Sequence, residues 1–293
     1  MNIAVYGKKI TSKEDFCDFD EIFRIIFDFG WTPVIEETLK KDLSKRNTVY
    51  EQFASFSSHR DFSSGIDCAL SIGGDGTFIK TVSYVRDSNV PVIGINLGRL
   101  GFLANINRHQ IIQSFQLLQE KKYTHQERTL ICVETEKKLF GDENFALNEV
   151  TLHRKDTASM ITVYTELNNE YLNAYWADGL IVSTPSGSTA YNLSCGGPIV
   201  VPSCEVHILT PIAAHNLNVR PMVVPDNLPI KLKISGRARN YLVSLDSSTK
   251  SIKNGEEIIV KKAPFTIRMI EFENSTFLET IRNKMLWGLD KRN

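Results

Sequence analysis

The sequence lacks the features that would direct it to a charged polymer or to a membrane. Its 34 lysines and arginines are balanced by 34 aspartates and glutamates, so no strong net field attracts nucleic acid or an anionic lipid surface. No apolar run approaches the roughly 18 residues of a membrane span, and the opening MNIAVYGKKI is too short for a signal-peptide core. We therefore expect a cytoplasmic protein with no nucleic-acid and no membrane partner.

The sequence also lacks the patterns of cysteine- and histidine-based sites. Its five cysteines are scattered without a CxxC pair, which is typical of reduced cytosolic thiols rather than of a disulfide framework. The six histidines show no HExxH spacing. No nucleophilic signature surrounds Cys195 or His215, and we expect structural roles for both. We predict no metal ion held by protein ligands alone.

Hydrophobic periodicity predicts an α/β domain with a parallel sheet over residues 1–104. Apolar runs at 2–7 and 68–72 have the length of buried strands, and residues 18–30 repeat apolar side chains at helical spacing. Strands that alternate with helices in this way are typical of parallel sheets covered by helices. The polar, serine-rich residues 44–64 show no clear period, and we expect a loop with one helix there.

A change to period two after about residue 125 predicts a second, mostly-β domain over residues 105–270. Residues 240–249 have the pattern of one strand, and Asn168-Asn169 and Asn254-Gly255 have the composition of tight hairpin turns. Residues 271–293 return to helical spacing. We expect this C-terminal helical tail to pack back on the first domain.

A glycine-rich turn joins a buried strand to a helix in the stretch CALSIGGDGTFIKTV, residues 68–82. Such a turn is the usual form of a phosphate-binding loop, because main-chain N–H groups and the helix dipole point at the anion. Ile79 stands where a Walker A loop needs a glycine and where a dinucleotide fingerprint needs its third glycine. The turn therefore differs from both common nucleotide loops, and a purely structural turn remains an alternative.

Asp75 is the unexpected residue of this turn. A carboxylate about 5 Å from a phosphate is repelled by roughly 3 kcal/mol at an effective dielectric of about 20. A residue with this cost needs a compensating role, such as holding a metal, binding a hydroxyl or removing a proton. Phosphoryl transfer to an alcohol uses the last two. We therefore interpret Asp75 as an acid that faces a hydroxyl while neighbouring amides face phosphate.

Six segments occur in an order that can be compared with a known family. They are GGDGTF (73–78), NLGRLGFL (96–103), ALNEV (146–150), DGLIVSTPSGSTAYNLSCGGPIV (178–200), TPIAAHNLNVRPMVVP (210–225) and NKMLWGLD (283–290). The first resembles a turn shared by NAD kinases, diacylglycerol and sphingosine kinases, and 6-phosphofructokinases. The other five resemble segments of bacterial-type NAD kinases. The resemblance implies transfer of the γ-phosphoryl group of ATP to the 2′-hydroxyl of the adenosine ribose of NAD, giving NADP.

The resemblance also implies roles for individual residues. Asp75 is expected to be the general base on the acceptor ribose, and Asp178 to hold the nicotinamide-side ribose or amide. Phe102 is expected either to stack on a base or to pack in the core, and Lys80 either to neutralise phosphate or to be solvated. The implied nucleotide-binding set is Gly74, Gly76, Lys80, Phe102, Asn148, Glu149, Asp178, Ser186, Thr189, Ala190, Tyr191, Asn192, Ser194 and Ala213.

The same resemblance implies NAD and ATP as substrates, Mg²⁺ arriving with ATP, and a homo-oligomer, either a dimer or a tetramer. Two other functions stay open on the residues. A lipid kinase of the same superfamily would share the glycine turn, but the Asn-Glu and TPSGSTAY motifs count against it. A non-catalytic NAD(P) sensor would use the same pocket, but it gains nothing from Asp75 beside phosphate. The range of phosphoryl donors also stays open.

Overall fold

The computed structural model describes residues 1–62, 65–98, 101–155, 160–273 and 276–287. Parts of three predicted segments lie outside these residues: the end of 44–64, positions 99 and 100 of NLGRLGFL, and much of the tail after 287. The chain divides into two compact units. Unit 1 is Met1–Glu127 together with the segment from Ile267 onward, and unit 2 is Arg128–Thr266.

The secondary structure follows the predicted change of period. The helices are α1 (Lys13–Asp28), α2 (Glu37–Ser44), α3 (Asp75–Val85), α4 (Ile111–Gln119), α5 (Tyr191–Ser194) and α6 (Phe277–Met285). The strands are β1 (Asn2–Gly7), β2 (Thr32–Glu36), β3 (Ala54–Phe56), β4 (Cys68–Ile72), β5 (Val92–Asn96), β6 (Ile106–Asn107), β7 (Thr124–Thr135), β8 (Phe145–Ala146), β9 (Glu149–His153), β10 (Ile161–Leu167), β11 (Glu170–Ala177), β12 (Gly179–Ser183), β13 (Val206–Ile212), β14 (Met222–Pro225), β15 (Ile230–Ser235), β16 (Asn240–Leu245), β17 (Ser248–Lys253) and β18 (Glu257–Glu271).

Unit 1 contains the predicted parallel sheet. Its strands lie in the order β3, β2, β1, β4, β5, and all four neighbouring pairs are parallel. Every residue of β4 and β5 is buried. A parallel strand covered on both faces needs such a continuous apolar run. The prediction of an α/β domain is therefore confirmed, and β4 leads directly into the glycine turn.

Helix α1 begins earlier than its apolar pattern indicated. Ser12 and Asp15 form a capping box, in which each side chain accepts a main-chain N–H of the other residue, and the helix therefore starts at Lys13. Phe19 and Phe23 are fully buried in the core of unit 1. Phe27, predicted on the same face, is 36% exposed and stacks on Phe53.

The structure corrects the prediction for residues 44–64. In place of a loop with one helix, it shows two 3₁₀ turns, Thr48–Gln52 and His59–Phe62, on either side of the edge strand β3. Phe56 of β3 is buried and contacts the edge of the Phe62 ring. A three-residue strand is too short to show a period, and main-chain pairing with β2 stabilises it.

The boundary between the units lies later than the predicted 104/105. Helix α4 places Ile111, Phe115 and Leu118 in the core of unit 1, so residues 105–127 belong there. At the other end, the last residues of β18 pair with β5 through Met269 and Val92. Helix α6 also belongs to unit 1, where Phe277 lies 6.5 Å from Phe102 between ring centroids. The expected packing of the tail on the first domain is confirmed.

Unit 2 is a sandwich of antiparallel sheets. One sheet has the order β14, β13, β12, β9, β16, β17, and the other contains β11, β10, β15 and β18. Val182 and Val243 of the first sheet and Val163 and Leu232 of the second belong to one buried cluster. Alternating inward side chains of this kind produce the period-two pattern. The prediction of a mostly-β domain is confirmed.

One predicted hairpin turn is correct and one is wrong. Asn168-Asn169 joins the paired strands β10 and β11, with φ angles of 50° and 66°. Asn254-Gly255 joins β17 and β18, which lie in different sheets. The second tight hairpin turn is instead Asp246-Ser247, inside the predicted single strand 240–249, where Asp246 has a φ of 47°. Turn composition indicates a reversal of the chain but not which strands pair.

Within the described ranges, no helix is long and apolar enough to cross a membrane.

Replacement of a buried ring in α1 tests the assignment of the unit 1 core. Phe23→Ala removes a fully buried ring that meets Tyr50 at 5.0 Å between centroids. We expect a loss of about 3–5 kcal/mol in the free energy of unfolding, because the cavity cannot refill. Phe27→Ala, on the same helix but 36% exposed, should cost clearly less. Urea unfolding followed by tryptophan fluorescence measures both, and equal losses would contradict the assigned helix face.

Candidate active site

The glycine turn lies at the carboxyl end of β4. Gly74 is the N-cap of α3 and Asp75 is its first residue. An N-cap glycine has no side chain to accept the N–H groups of the first turn, which leaves that role to another acceptor. A Cβ placed on Gly74 or Gly76 would meet nothing within 4 Å. Contacts of the described protein residues therefore do not explain these two glycines, whereas close approach of a phosphate would.

The Asp75 carboxylate binds three consecutive main-chain amides. Phe102 N donates to Oδ2 at 2.9 Å, and Leu103 N and Ala104 N donate to Oδ1 at 3.0 Å each. Gly101 packs so closely that a Cβ there would lie 2.0 Å from Oδ1. The amides of residues 102–104 therefore face Asp75, and the expectation that the amides of the glycine turn face phosphate stays a prediction. The carboxylate holds the loop that follows β5.

A lysine that the sequence reasoning missed lies beside Asp75. Nζ of Lys284, in α6, is 3.9 Å from Oδ2 of Asp75 and 4.3 Å from the centroid of the Phe102 ring. The first distance exceeds hydrogen-bond range and leaves room for a bridging oxygen. The second is a cation–π contact. Lys284 is the one basic residue of the NKMLWGLD segment, but no local pattern relates it to Asp75, 209 positions earlier in the chain.

Lys80 is not near Asp75 on the helix surface. It follows Asp75 by five residues, which places it about 140° around α3, and its side chain is exposed. Phe102 is half-buried, and Nζ of Lys284 lies over the face of its ring. Phe102 is therefore not packed entirely within the core. Of the two lysines, Lys284 is therefore the better placed to meet an anion at the glycine turn.

In unit 2, Asn148 and Glu149 are held in the same manner by Asp246. The Asp246 carboxylate accepts the N–H groups of Leu147 at 2.8 Å, Asn148 at 2.9 Å and Glu149 at 3.1 Å. Asn148 is 8% exposed, and neither its Oδ1 nor Oε2 of Glu149 has a hydrogen-bond partner among the described residues. Buried acceptors of this kind need a donor, which a bound ligand can supply.

Two acids therefore lie close together at this point of unit 2. Burial, and secondly the charge of Asp246, raise the pKa of Glu149 to about 8. Burial also raises the pKa of Asp246, but the amides of residues 147–149 oppose that rise. Because Asp246 accepts three N–H groups in its ionised form, we assign the charge to Asp246 and the proton to Glu149 at neutral pH.

The hydroxyl-rich loop, residues 184–194, uses most of its buried hydroxyls internally. Thr184 Oγ1 donates to Leu147 O at 2.6 Å and accepts the N–H of Gly187. Ser188 Oγ bonds both main-chain groups of Val200, and Ser186 Oγ accepts from Arg128. These hydroxyls are therefore committed to partners within the protein. They fix the loop against the Asn148–Glu149 segment.

Asn192 is also committed within the protein. Its Nδ2 donates to the carbonyls of Ser188 and Pro198 at 3.1 Å each, and its Oδ1 accepts from Thr210 at 2.6 Å. The side chain is fully buried. A contact of this side chain with NAD would require breaking these bonds, so the geometry favours a role in shaping the loop.

The other predicted residues of unit 2 remain accessible. Asp178 pairs with Arg154 at 2.8 Å, a partner that the sequence reasoning missed. Tyr191, Ser194 and Ala213 are exposed, while Thr189 and Ala190 are half-buried. Tyr191 also lies within electrostatic range of Glu149 and Asp178. Unit 2 thus brings accessible side chains together with the Asn148–Glu149 pair.

In the part of the chain that the structure describes, no three His, Cys, Asp or Glu side chains are grouped so as to hold a metal ion.

Two segments of the chain match the two domains of a known protein family. Residues 19–123 match the ATP-NAD kinase N-terminal domain, and residues 147–272 match the ATP-NAD kinase C-terminal domain. The NAD kinase of Flavobacterium psychrophilum is 53% identical over 295 residues, which is 100% of both chains. That of Flavobacterium johnsoniae is 46% identical over 295 residues, again 100% of both.

Two solved structures share the fold. Yeast NADH kinase complexed with NADH has a TM-score of 0.85 and 22% identity, covering 98% of this chain and 88% of that chain. An NAD kinase from Archaeoglobus fulgidus in complex with ATP has a TM-score of 0.74 and 23% identity, covering 97% of both. At these identities the likeness is one of fold.

The proton on Glu149 should make stability depend on pH. Its pKa of about 8 lies above the ordinary value of 4.5, so the folded chain keeps a proton that the unfolded chain releases. The stabilisation is complete below about pH 4.5 and is lost as pH rises through about 8, and we expect the loss to reach a few kcal/mol. Thermal melts of wild type and Glu149→Gln from pH 5 to 9 measure it. The variant should lose less stability over this range, and parallel curves would contradict the assignment.

Proposed function

We propose that this chain, which belongs to the ATP-NAD kinase family, transfers the γ-phosphoryl group of ATP to the 2′-hydroxyl of the adenosine ribose of NAD, with Asp75 as general base. The observation that carries the proposal is the hydrogen bonding of Asp75. Oδ1 accepts two amides, whereas Oδ2 accepts one and keeps a lone pair. Oδ2 is thus an oriented acceptor for a hydroxyl proton, next to a helix N-terminus suited to phosphate.

The proposed reaction balances without a further reagent. The ribose O2′–H bond breaks and its proton passes to Oδ2 of Asp75. A bond forms between O2′ and the γ-phosphorus, and the bond from that phosphorus to the oxygen of the β-phosphate breaks. ADP leaves, and NADP is the product. The carboxylate raises the nucleophilicity of the hydroxyl at the moment of attack, which is the usual contribution of a general base.

Two features of unit 1 are suited to the charge of the transferred group. The N-terminus of α3 presents main-chain N–H groups and the positive end of the helix dipole beside the open glycines 74 and 76. Lys284 supplies a full positive charge 3.9 Å from the base. Phosphoryl transfer is catalysed chiefly by positioning and by charge stabilisation of this kind. Lys284 is therefore proposed to contact the phosphoryl oxygens, in place of Lys80.

The residues of unit 2 are proposed to bind the dinucleotide. Asn148 offers an unpartnered amide oxygen together with a donor, as recognition of an adenine edge or of ribose hydroxyls requires. Glu149, protonated at neutral pH, can donate as well as accept. Asp178, Thr189, Ala190, Tyr191, Ser194 and Ala213 complete the proposed set. Asn192 and Ser186 act by holding the hydroxyl-rich loop.

Magnesium is proposed to enter as part of the Mg-ATP substrate, as is usual for kinases. The expected homo-oligomer and the cytoplasmic location stay predictions. The lipid-kinase and sensor alternatives gain no specific support from the geometry of the described residues.

Asp75→Asn tests the role of the base. We expect turnover to fall about 100- to 10,000-fold, because the amide cannot take the proton, while NAD binding is retained. The assay contains purified protein, Mg-ATP and NAD, and a coupled dehydrogenase detects NADP. Calorimetry measures NAD affinity. Near-normal NADP formation by the variant would refute the assignment.

Gly101→Ala serves as the comparison for Asp75→Asn. Its Cβ would lie 2.0 Å from Oδ1 of Asp75, so the carboxylate and the held loop must move apart, but the variant keeps a carboxylate that can take a proton. If Asp75 only held the loop, both variants should show the same fall in melting temperature and in turnover. A base predicts a much larger fall in turnover for Asp75→Asn at a similar melting temperature.

Lys284→Met tests the proposed phosphate contact. The change keeps most of the side-chain volume but removes the charge, and we expect turnover to fall by about 10-fold or more. Lys284→Arg should recover part of this loss. Lys80→Met is the matched control on an exposed position of α3 and should leave turnover close to wild type. Equal effects of the Lys80 and Lys284 changes would contradict the assignment.

A further inference from the structure

Asp246 lies outside the six segments that resemble the known family. It lies in the two-residue turn between β16 and β17, with a φ of 47°, and it is 98 positions along the chain from Asn148. Its carboxylate nevertheless accepts the three amides of residues 147–149. Those amides belong to the segment whose side chains end in unpartnered acceptors.

We propose that Asp246 is a positioning residue for nucleotide recognition, which presents Asn148 and Glu149 to the bound dinucleotide through three main-chain hydrogen bonds. The inference rests on the proposed function, because it takes NAD as the ligand of this pair. It assigns to Asp246 no contact with the ligand itself. The residue acts by fixing the direction of the 147–149 main chain and by placing a negative charge next to Glu149.

The geometry explains why another residue cannot substitute easily. A single carboxylate offers enough lone pairs for three N–H groups, whereas an amide side chain presents one oxygen and one NH₂ group. In Asp246→Asn, at least one of the three N–H groups would face a donor or lose its acceptor. A buried N–H without an acceptor is costly, so the main chain of residues 147–149 would shift to recover a partner.

The charge of Asp246 provides a second, independent readout. The groups within electrostatic range of Glu149 are Asp246, Tyr191 and Cys195. Burial raises the pKa of both Tyr191 and Cys195, so neither ionises at neutral pH. The negative charge of Asp246 helps to raise the pKa of Glu149 to about 8. Removing that charge should therefore lower the pKa of Glu149 and move the pH dependence of NAD binding.

The experiment measures KM for NAD, KM for ATP and kcat of wild type and Asp246→Asn between pH 6 and 9. We expect KM for NAD to rise about 10- to 100-fold, as for the loss of a hydrogen bond to a charged group. KM for ATP and kcat should change less than about three-fold, because the variant leaves Asp75 and Lys284 intact. The midpoint of the pH dependence of KM for NAD should move to lower pH, and Glu149→Gln should abolish that transition.

Asp61→Asn is the matched control. Asp61 also accepts consecutive main-chain amides, those of Ser57 at 2.7 Å and Ser58 at 2.8 Å, but on an exposed turn of unit 1. Its replacement should leave KM for NAD and the pH midpoint unchanged. If Asp61→Asn has no effect, the loss of an amide-binding carboxylate is not by itself enough to raise KM for NAD. A rise in Asp246→Asn then comes from the position of Asp246.

Two results would overturn the inference. One is a wild-type KM for NAD in Asp246→Asn. The other is a KM raised equally at every pH with an unmoved midpoint and a lower melting temperature, which indicates a structural role alone. Failure of the proposed function is distinguishable, since wild type would then form no NADP from Mg-ATP and NAD. In that case, calorimetric titration of NAD into wild type and Asp246→Asn still tests the positioning role.

Discussion

The binding of consecutive main-chain amides by one carboxylate is the interaction on which the candidate residues of each unit depend. A loop that leaves a strand has N–H groups without ladder partners, and burying them unpaired is costly. Asp75 satisfies three such groups at residues 102–104, and Asp246 satisfies three at residues 147–149. Each acid thereby fixes a segment that carries residues of the proposed site.

The two carboxylates differ in what they leave available. Asp75 keeps a lone pair on Oδ2 beside Lys284, so it can hold its loop and still accept a proton. Asp246 is half-buried, and its charge acts on the neighbouring Glu149. Under the proposed function, the same arrangement of hydrogen bonds supports proton transfer in unit 1 and ligand recognition in unit 2. The difference lies in the charged and titratable groups nearby, Lys284 beside Asp75 and Glu149 beside Asp246, and not in the residue type.

The fold was predictable where local pattern and burial agree. The continuous apolar run of β4 and the helical spacing of α1 both identified their elements, because burial on two faces or on one stripe leaves a period in the sequence. Pattern failed for β3, which is three residues long, and for the turn at Asp246-Ser247. In the candidate site, the motifs indicated Asp75, Asn148 and Glu149, whereas the internal hydrogen bonds of a buried hydroxyl such as Ser188 were not predictable from local pattern.

The sequence by itself determined the change from α/β to mostly-β structure, the glycine turn at the end of a buried strand, and the family. Each of these features depends on residues that are close together in the sequence, since periodicity, turn chemistry and motifs extend over a few positions. Only the tertiary structure brought Lys284 to Asp75 and Asp246 to the 147–149 amides. Those contacts join residues about a hundred positions or more apart, and they arise from strand pairing and helix packing, which no local pattern encodes.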